Sequence, residues 1–141
     1  MKKRKILLVD DEVAFTNIVK LTLEMGGHYE VRVENDPFNA VAKGREFGPD
    51  LILLDVIMPE LDGGEIYREF MADLLLRHTP IIFLTAIVRP EEVKANSGMF
   101  AGKFFIAKPV CTEELTEAIE KRLSSGISQE LPHPGATAAA H

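Results

Sequence analysis

Four apolar runs in this sequence each end on a residue type that can do chemistry. The run ILLV (6–9) is followed by Asp10-Asp11-Glu12, and LILL (51–54) by Asp55. The run IIFL (81–84) is followed by Thr85-Ala86, and FFIA (104–107) by Lys108-Pro109. Each piece alone is common. An Asp pair after a strand is often a helix cap, and an Asp before a proline-containing loop is often a turn residue. Taken together, acid pair, lone acid, hydroxyl and amine are equipment for phosphoryl transfer. With Asp10, Asp11 and Asp55 ionised and Lys108 protonated, the group carries about −2, which suits a divalent cation; hard oxygen ligands with room for water favour Mg²⁺. A carboxylate beside such a cation can attack phosphorus and become an acyl phosphate. The metal and Lys108 would neutralise the phosphoryl oxygens, and Thr85 would donate a hydrogen bond to one of them.

These residues meet only if the four runs are parallel strands of one sheet. Each run has strand length, and helical patterns lie between them. Ala14, Ile18, Leu21 and Met25 are spaced 4, 3, 4 and form one apolar helix stripe, stopped by Gly26-Gly27. Ile66, Phe70 and Leu74, flanked by Tyr67, Met71 and Leu75, form a broad second stripe; Leu115, Ala118, Ile119 and Leu123 form a third. Asp36 is placed to cap a helix that begins with Pro37. The segment YEVRVE (29–34) alternates strictly, as a strand at a sheet edge with one wet face does. About five alternations of strand and helix predict an α/β fold, a doubly wound five-stranded parallel sheet with helices on both faces. Ligands in such folds bind beyond the carboxyl ends of the strands, where all four sets lie.

Composition sets the class. A chain of 141 residues, 46% hydrophobic and 27% charged, suits one domain around a single core. A net charge of −6 argues against nucleic-acid binding by the surface as a whole, and Lys2-Lys3-Arg4-Lys5 reads as a solvated lead-in to the first strand. The single cysteine, Cys111, excludes an internal disulfide and reads as a small buried thiol. No apolar run approaches the ~18 residues of a membrane span, and the start lacks a secretory pattern, so a cytoplasmic location without membrane contact is expected. His28, His78, His133 and His141 lack the spacing of a zinc site. Residues 1–123 are expected to fold as one domain. Residues 124–141 contain no Lys or Arg and little to bury, and are expected to be a disordered tail or linker stub.

The motifs ILLVDDE (6–12), LILLDVIMPELDG (51–63), PIIFLTA (80–86) and FFIAKP (104–109) resemble the receiver domain of two-component response regulators. The resemblance covers about residues 4–123. It implies a flavodoxin-like (βα)5 fold with strand order 2-1-3-4-5. It further implies that Asp55 is the phosphoacceptor, that Asp11 ligates Mg²⁺ directly, that Asp10 acts mostly through water, and that the Ile57 backbone carbonyl is another ligand. Lys108 would pair with the phosphoryl group, Thr85 would bond it in the active state, and Phe105 would be the switch aromatic. Pro59 and Gly63 would shape the loop after Asp55. Two departures concern the output face: Ala101-Gly102 reverses the family's Gly-Ala order, and Ser97-Gly98 interrupts a helix expected near 90–96.

A signalling switch is therefore expected, with a sensor histidine kinase or phosphotransfer protein as donor and an effector protein, or an absent output domain, as target. The rival is an enzyme, a phosphatase of haloacid-dehalogenase type, which also uses Asp and Mg²⁺. Its nucleophile belongs to a D-x-D after the first strand. Here that strand ends in adjacent Asp10-Asp11 and the lone acid follows the third run, which favours the switch.

Overall fold

The computed structural model describes residues 2–56, 63–86, 99–100, 103–108 and 110–125. Five parallel strands form the sheet: β1 (Arg4–Val9), β2 (Tyr29–Glu34), β3 (Leu51–Asp55), β4 (Ile81–Thr85) and β6 (Lys103–Ala107). They lie in the order β2-β1-β3-β4-β6, the predicted topology. A two-residue strand, β5 (Met99–Phe100), adds an antiparallel pairing on the outer edge of β6 that the sequence pattern does not announce. The helices are α1 (Val13–Glu24), α2 (Ala40–Phe47), α3 (Gly63–Ala72) and α4 (Thr112–Ser125). The helix expected near 90–96 and the Ala101-Gly102 pair lie outside the described residues. So does nearly all of the proposed tail, although α4 continues two residues past the expected boundary at 123. Among the described residues no helix is long and apolar enough to cross a membrane.

The continuous apolar runs follow from having both sheet faces covered. Alternate residues feed two cores. Ile6, Leu8, Leu51, Leu53, Ile82 and Leu84 pack with Val19 and Leu23 of α1 and with Leu115 and Ile119 of α4. Leu7, Val9, Ile52, Leu54, Ile81 and Phe83 pack with Ala40 and Phe47 of α2 and with Ile66 and Phe70 of α3. β2 is the wet edge strand its alternation predicts. Asp36 Oδ1 accepts from Phe38 N–H at 3.0 Å and Pro37 opens the turn, as predicted, although that turn is a 3-10 turn preceding α2. Gly48, at φ +66, closes α2 in the left-handed conformation that a side chain would strain. Two polar contacts fasten α4. Arg122 lies 4.0 Å over the Phe104 ring, and Tyr29 donates a hydrogen bond to Glu120. Burial and that bond push the Tyr29 hydroxyl above its ordinary pKa, so it stays a donor.

Three sequence readings need correction. The stripe Ala14, Ile18, Leu21, Met25 exists, but it faces solvent: Ile18 is 65% exposed, Leu21 67% and Met25 78%. The buried face of α1 is Thr16, Val19 and Leu23. The second stripe stops early. α3 ends at Ala72, and Asp73 Oδ1 accepts from Leu75 N–H at 2.9 Å, turning the chain so that Leu74 and Leu75 are exposed and Leu76 is buried. Cys111 is exposed rather than buried, and its thiol donates to Glu113 Oε1 at 3.1 Å.

The reversed face of α1 makes a simple prediction. Leu23→Ala should cost about 2–5 kcal/mol, the range for an excavated core leucine. Leu21→Ala and Ile18→Ala should each stay within about 0.5 kcal/mol of wild type. Chemical denaturation measures all three, and equal losses at positions 21 and 23 would return the stripe to the core.

Candidate functional site

The strands deliver their terminal residues to one edge of the sheet. Asp10 continues the alternation of Ile6 and Leu8, Asp55 that of Leu51 and Leu53, and Lys108 that of Phe104 and Ile106. All three therefore leave the sheet on the face covered by α1 and α4. Asp10, Asp11 and Asp55 offer carboxylate oxygens that lie within 4.8 Å of one another. Asp10 is fully buried and Asp55 is 4% exposed. Lys108 Nζ stands 2.7 Å from Asp10 Oδ2, 2.9 Å from Glu12 Oε1 and 3.6 Å from Asp55 Oδ1. Four of the expected site residues thus converge.

Thr85 is buried at the end of β4, the strand beside Asp55, and its carbonyl accepts from Lys108 N–H at 2.7 Å. By strand alternation its side chain follows Phe83, on the face opposite the carboxylates. Phe105 lies on that same face, where its ring stacks on Phe83 at 5.1 Å; Phe83 in turn meets Tyr67 at 5.4 Å. In the β4–β6 register Thr85 faces Ala107 and Phe105 faces Phe83, so Thr85 and Phe105 are one alternate position apart on that face. The Ile57 carbonyl and Pro59 lie outside the described residues, and Gly63 opens α3.

Burial and the ion pairs oppose each other here. Burial pushes the Asp10 carboxyl above its ordinary pKa, against the opposing pull of Lys108 and of the Glu12 N–H, which donates to Asp10 Oδ1 at 3.0 Å. Burial alone would lower the Lys108 pKa, but its bonds to Asp10 and Glu12 and the charges of Asp10 and Asp55 raise it, so the ammonium stays charged. The Lys108–Asp10 contact is close but poorly aligned: Asp10 Oδ2 makes no hydrogen bond of good geometry among the described residues, and the attraction is chiefly ionic. A buried, under-satisfied carboxylate oxygen grouped with two further carboxylates is what a hard divalent cation such as Mg²⁺ requires. The residues present fit such an ion, with Asp10, Asp11 and Asp55 as its holders.

Sequence reasoning placed Glu12 at the strand end without a role, and it missed Phe15, Asn35 and Thr16. Glu12 pairs with Lys108, and the Phe15 ring faces the same ammonium with its centroid 4.4 Å away. Asn35 donates to the Asp10 carbonyl at 2.7 Å and to Thr16 Oγ1 at 3.1 Å, while Thr16 donates to the Val13 carbonyl at 3.0 Å. That chain clamps the Asp10–Val13 turn onto the end of β2. Asn35 follows β2 directly, so the strand-end rule that picked out the other residues would have found it too.

Residues 6–120 match the response regulator receiver domain family. The chain is 36% identical over 129 residues to the transcriptional regulatory protein TrcR of Mycobacterium tuberculosis, covering 91% of this chain and 48% of that protein. It is 38% identical over 120 residues to the transcriptional regulatory protein ResD of Bacillus subtilis, covering 84% and 48%. The chain thus spans about half the length of these relatives. The chemotaxis protein CheY4 of Vibrio cholerae superposes with a TM-score of 0.72 at 31% identity, covering 85% of this chain and 98% of that one. A CheY-like receiver domain protein of Methanospirillum hungatei does so with a TM-score of 0.72 at 28% identity, covering 89% and 97%.

The raised Asp10 pKa has a signed consequence for stability in chelator. A carboxyl whose folded pKa is raised favours folding fully below its unfolded value and loses that contribution as pH rises through the folded value. Metal-free wild type should therefore gain stability relative to Asp10→Asn as pH falls from 7 towards the ordinary carboxylate range. At pH 7 metal-free Asp10→Asn should melt above wild type. Thermal melts in chelator across that range check the sign, and a gap independent of pH would rule out the burial effect.

Proposed function

This chain belongs to the response regulator receiver domain family of two-component signalling, and from that membership we propose that Asp55 is its phosphoacceptor. The observation that supports the choice is the position of Asp55. It closes a fully buried strand beside Asp10 and Asp11, 3.6 Å from the Lys108 ammonium. In the reaction an Asp55 carboxylate oxygen forms a bond to phosphorus as the donor's bond to phosphorus breaks. The donor is a phosphohistidine of a sensor kinase or phosphotransfer protein, or a small acyl phosphate, and its leaving group departs with the bonding electrons. Lys108 holds a phosphoryl oxygen, and Thr85 hydrogen-bonds another once the group is in place. Asp10, Asp11 and Asp55 would hold Mg²⁺, which would supply charge neutralisation for the phosphoryl oxygens. The chain thereby promotes its own phosphorylation and acts as a switch rather than as an enzyme turning over an external substrate.

The readout proposed here runs through the opposite face of the sheet. A phosphoryl group brings ~−2 charge and three strong acceptors. Thr85, drawn towards it, would leave room on the face where Phe105 stacks on Phe83. The altered surface then meets an effector protein or an output domain carried elsewhere in a longer protein. TrcR and ResD are transcriptional regulatory proteins roughly twice the length of this chain. DNA binding by this segment itself is not part of the proposal, and the cytoplasm is the compartment in which such a donor would be met.

The exposed stripe of α1 supplies a footing for the donor. α1 begins at Val13, two residues beyond Asp11, and Ile18, Leu21 and Met25 extend one apolar face away from the site. A donor whose phosphohistidine reaches Asp55 must pass over this end of the sheet, and an apolar helix face on the donor would be complementary to the stripe.

Acetyl phosphate with Mg²⁺ should add one phosphoryl group to the wild type and none to Asp55→Asn, read by intact-protein mass. Label retained in that variant and mapped to Asp10 or Asp11 would reverse the roles of nucleophile and ligand. Replacing Ile18 and Leu21 together by Asp should slow transfer from a phosphorylated histidine-containing donor protein by about tenfold or more, the effect of ~1.4 kcal/mol lost in docking. Labelling by acetyl phosphate, which needs no docking face, should change far less. Equal slowing with both donors would show that the stripe acts on the site and not on the partner.

A further inference from the structure

Lys108 is enclosed by charge on one side and by an aromatic ring on another. Asp10 and Glu12 lie within hydrogen-bonding distance of Nζ, at 2.7 and 2.9 Å, and Asp55 stands at 3.6 Å. The Phe15 ring centroid is 4.4 Å from the same nitrogen. Phe15 is half-buried on α1 and also packs against the core between α1 and the sheet, so the ring is not free to swing away. An ammonium within about 6 Å of a ring centroid is attracted to the negative face of the π system.

We propose that Phe15 is a positioning residue for phosphoryl transfer, acting through Lys108. The proposal rests on the reading of Asp55 as phosphoacceptor. A lysine ammonium is a compact charge on a flexible four-carbon stem and settles where local charge is greatest. Asp10 and Glu12 alone would draw it towards themselves and away from Asp55. The ring attracts the whole charge without claiming an N–H, because a π face offers no directional lone pair comparable to a carboxylate oxygen. It therefore supports the ammonium while leaving N–H directions to the oxygens. The distance to Asp55 is too long for a hydrogen bond, and a phosphoryl oxygen arriving on Asp55 would fill that gap. The ring also keeps water from one side of the ammonium, which strengthens its attraction for the incoming anion.

Leucine at position 15 keeps an apolar side chain of similar bulk and removes the π face; tyrosine keeps the face. Phe15→Leu should slow acetyl phosphate labelling of the full chain by about threefold to thirtyfold, the span that a cation–π contact covers. Phe15→Tyr should stay within about twofold of wild type, and Phe15→Leu should cause no further loss in a Lys108→Ala background. A spectroscopic readout does not depend on phosphorylation. The Lys108 ε-methylene protons should be shifted upfield by the ring in wild type and in Phe15→Tyr, and should return to ordinary positions in Phe15→Leu. Wild-type labelling rates in Phe15→Leu, an equal loss in the Lys108→Ala background, or ε-methylene shifts that ignore the substitution would each overturn the proposal. A wild type that takes up no phosphoryl group, yet shows the ring shift, would instead overturn the phosphoacceptor reading and with it the role assigned to the ring in transfer.

Discussion

The contact between Lys108 and Asp10 is the constraint on which the rest of the site depends. Two carboxylates, Asp10 and Asp55, sit almost wholly out of water at adjacent strand ends, with Asp11 beside them. Like charges in such a place repel, and removing them from water costs several kcal/mol per ion even after relaxation. The ammonium at 2.7 Å offsets part of that cost, and it can do so only because its own backbone is pinned. The Lys108 N–H bonds to the Thr85 carbonyl, so the amine is delivered by the same ladder that joins β4 to β6. The compensation is incomplete in geometry: among the described residues Asp10 Oδ2 has a near charge but no aligned hydrogen bond. A site fully satisfied by its own residues would have no affinity left for a cation or for an arriving phosphoryl group.

Strand alternation separates the two tasks of such a switch. Asp10, Asp55 and Lys108 belong to the face that α1 and α4 cover, whereas Thr85, Phe83 and Phe105 belong to the face of α2 and α3. Charge is handled on one side of the sheet and packing on the other. The Thr85 backbone carbonyl bonds Lys108, and by strand alternation its side chain follows the face of Phe83. Burying one aromatic side chain is worth roughly 1.5–3 kcal/mol, less than the ~5.5 kcal/mol that carries a two-state equilibrium from 1:99 to 99:1. Rearrangement of Phe105 alone would therefore bias a partner surface without fully committing it.

The strands and their order were legible because parallel strands buried on both faces leave little choice of residue: uninterrupted Ile, Leu, Val and Phe. The convergence of Asp10, Asp11, Asp55 and Lys108 was legible for the same reason, since a charged residue directly after such a run must lie at the sheet edge. The face of α1 was not legible. Its core side uses Thr16 among Val19 and Leu23, and the Thr16 hydroxyl is buried because it bonds Val13 and Asn35, a tertiary fact invisible to periodicity. Its wet side carries the stronger apolar stripe, so hydrophobic spacing identified the wrong face. Leu74 and Leu75 misled in a related way. They continue the α3 pattern, but the Asp73 side chain captures the next turn of backbone and ends the helix first. Phe15 gave no signal, because an apolar helix residue facing a lysine cannot be told by type from one facing a leucine.

Two of these misreadings fall on α1, and they change how that helix is understood. An ordinary surface helix has one apolar face and one polar face. This one has three sectors. Thr16, Val19 and Leu23 hold it to the sheet, Phe15 looks towards the Lys108 ammonium, and Ile18, Leu21 and Met25 are offered to solvent. The first turn is fixed independently, by the Asn35 bonds to the Asp10 carbonyl and to Thr16. On the proposed reading, a helix with an apolar outer face and an inner aromatic contact would connect a partner seated on it to the ammonium beside Asp55. Exposed leucine, isoleucine and methionine in one row are tolerated at some cost in solubility, and a contiguous apolar patch on a folded domain generally marks a contact surface. The stripe that sequence periodicity assigned to folding faces solvent, and on the proposed reading it would serve recognition instead.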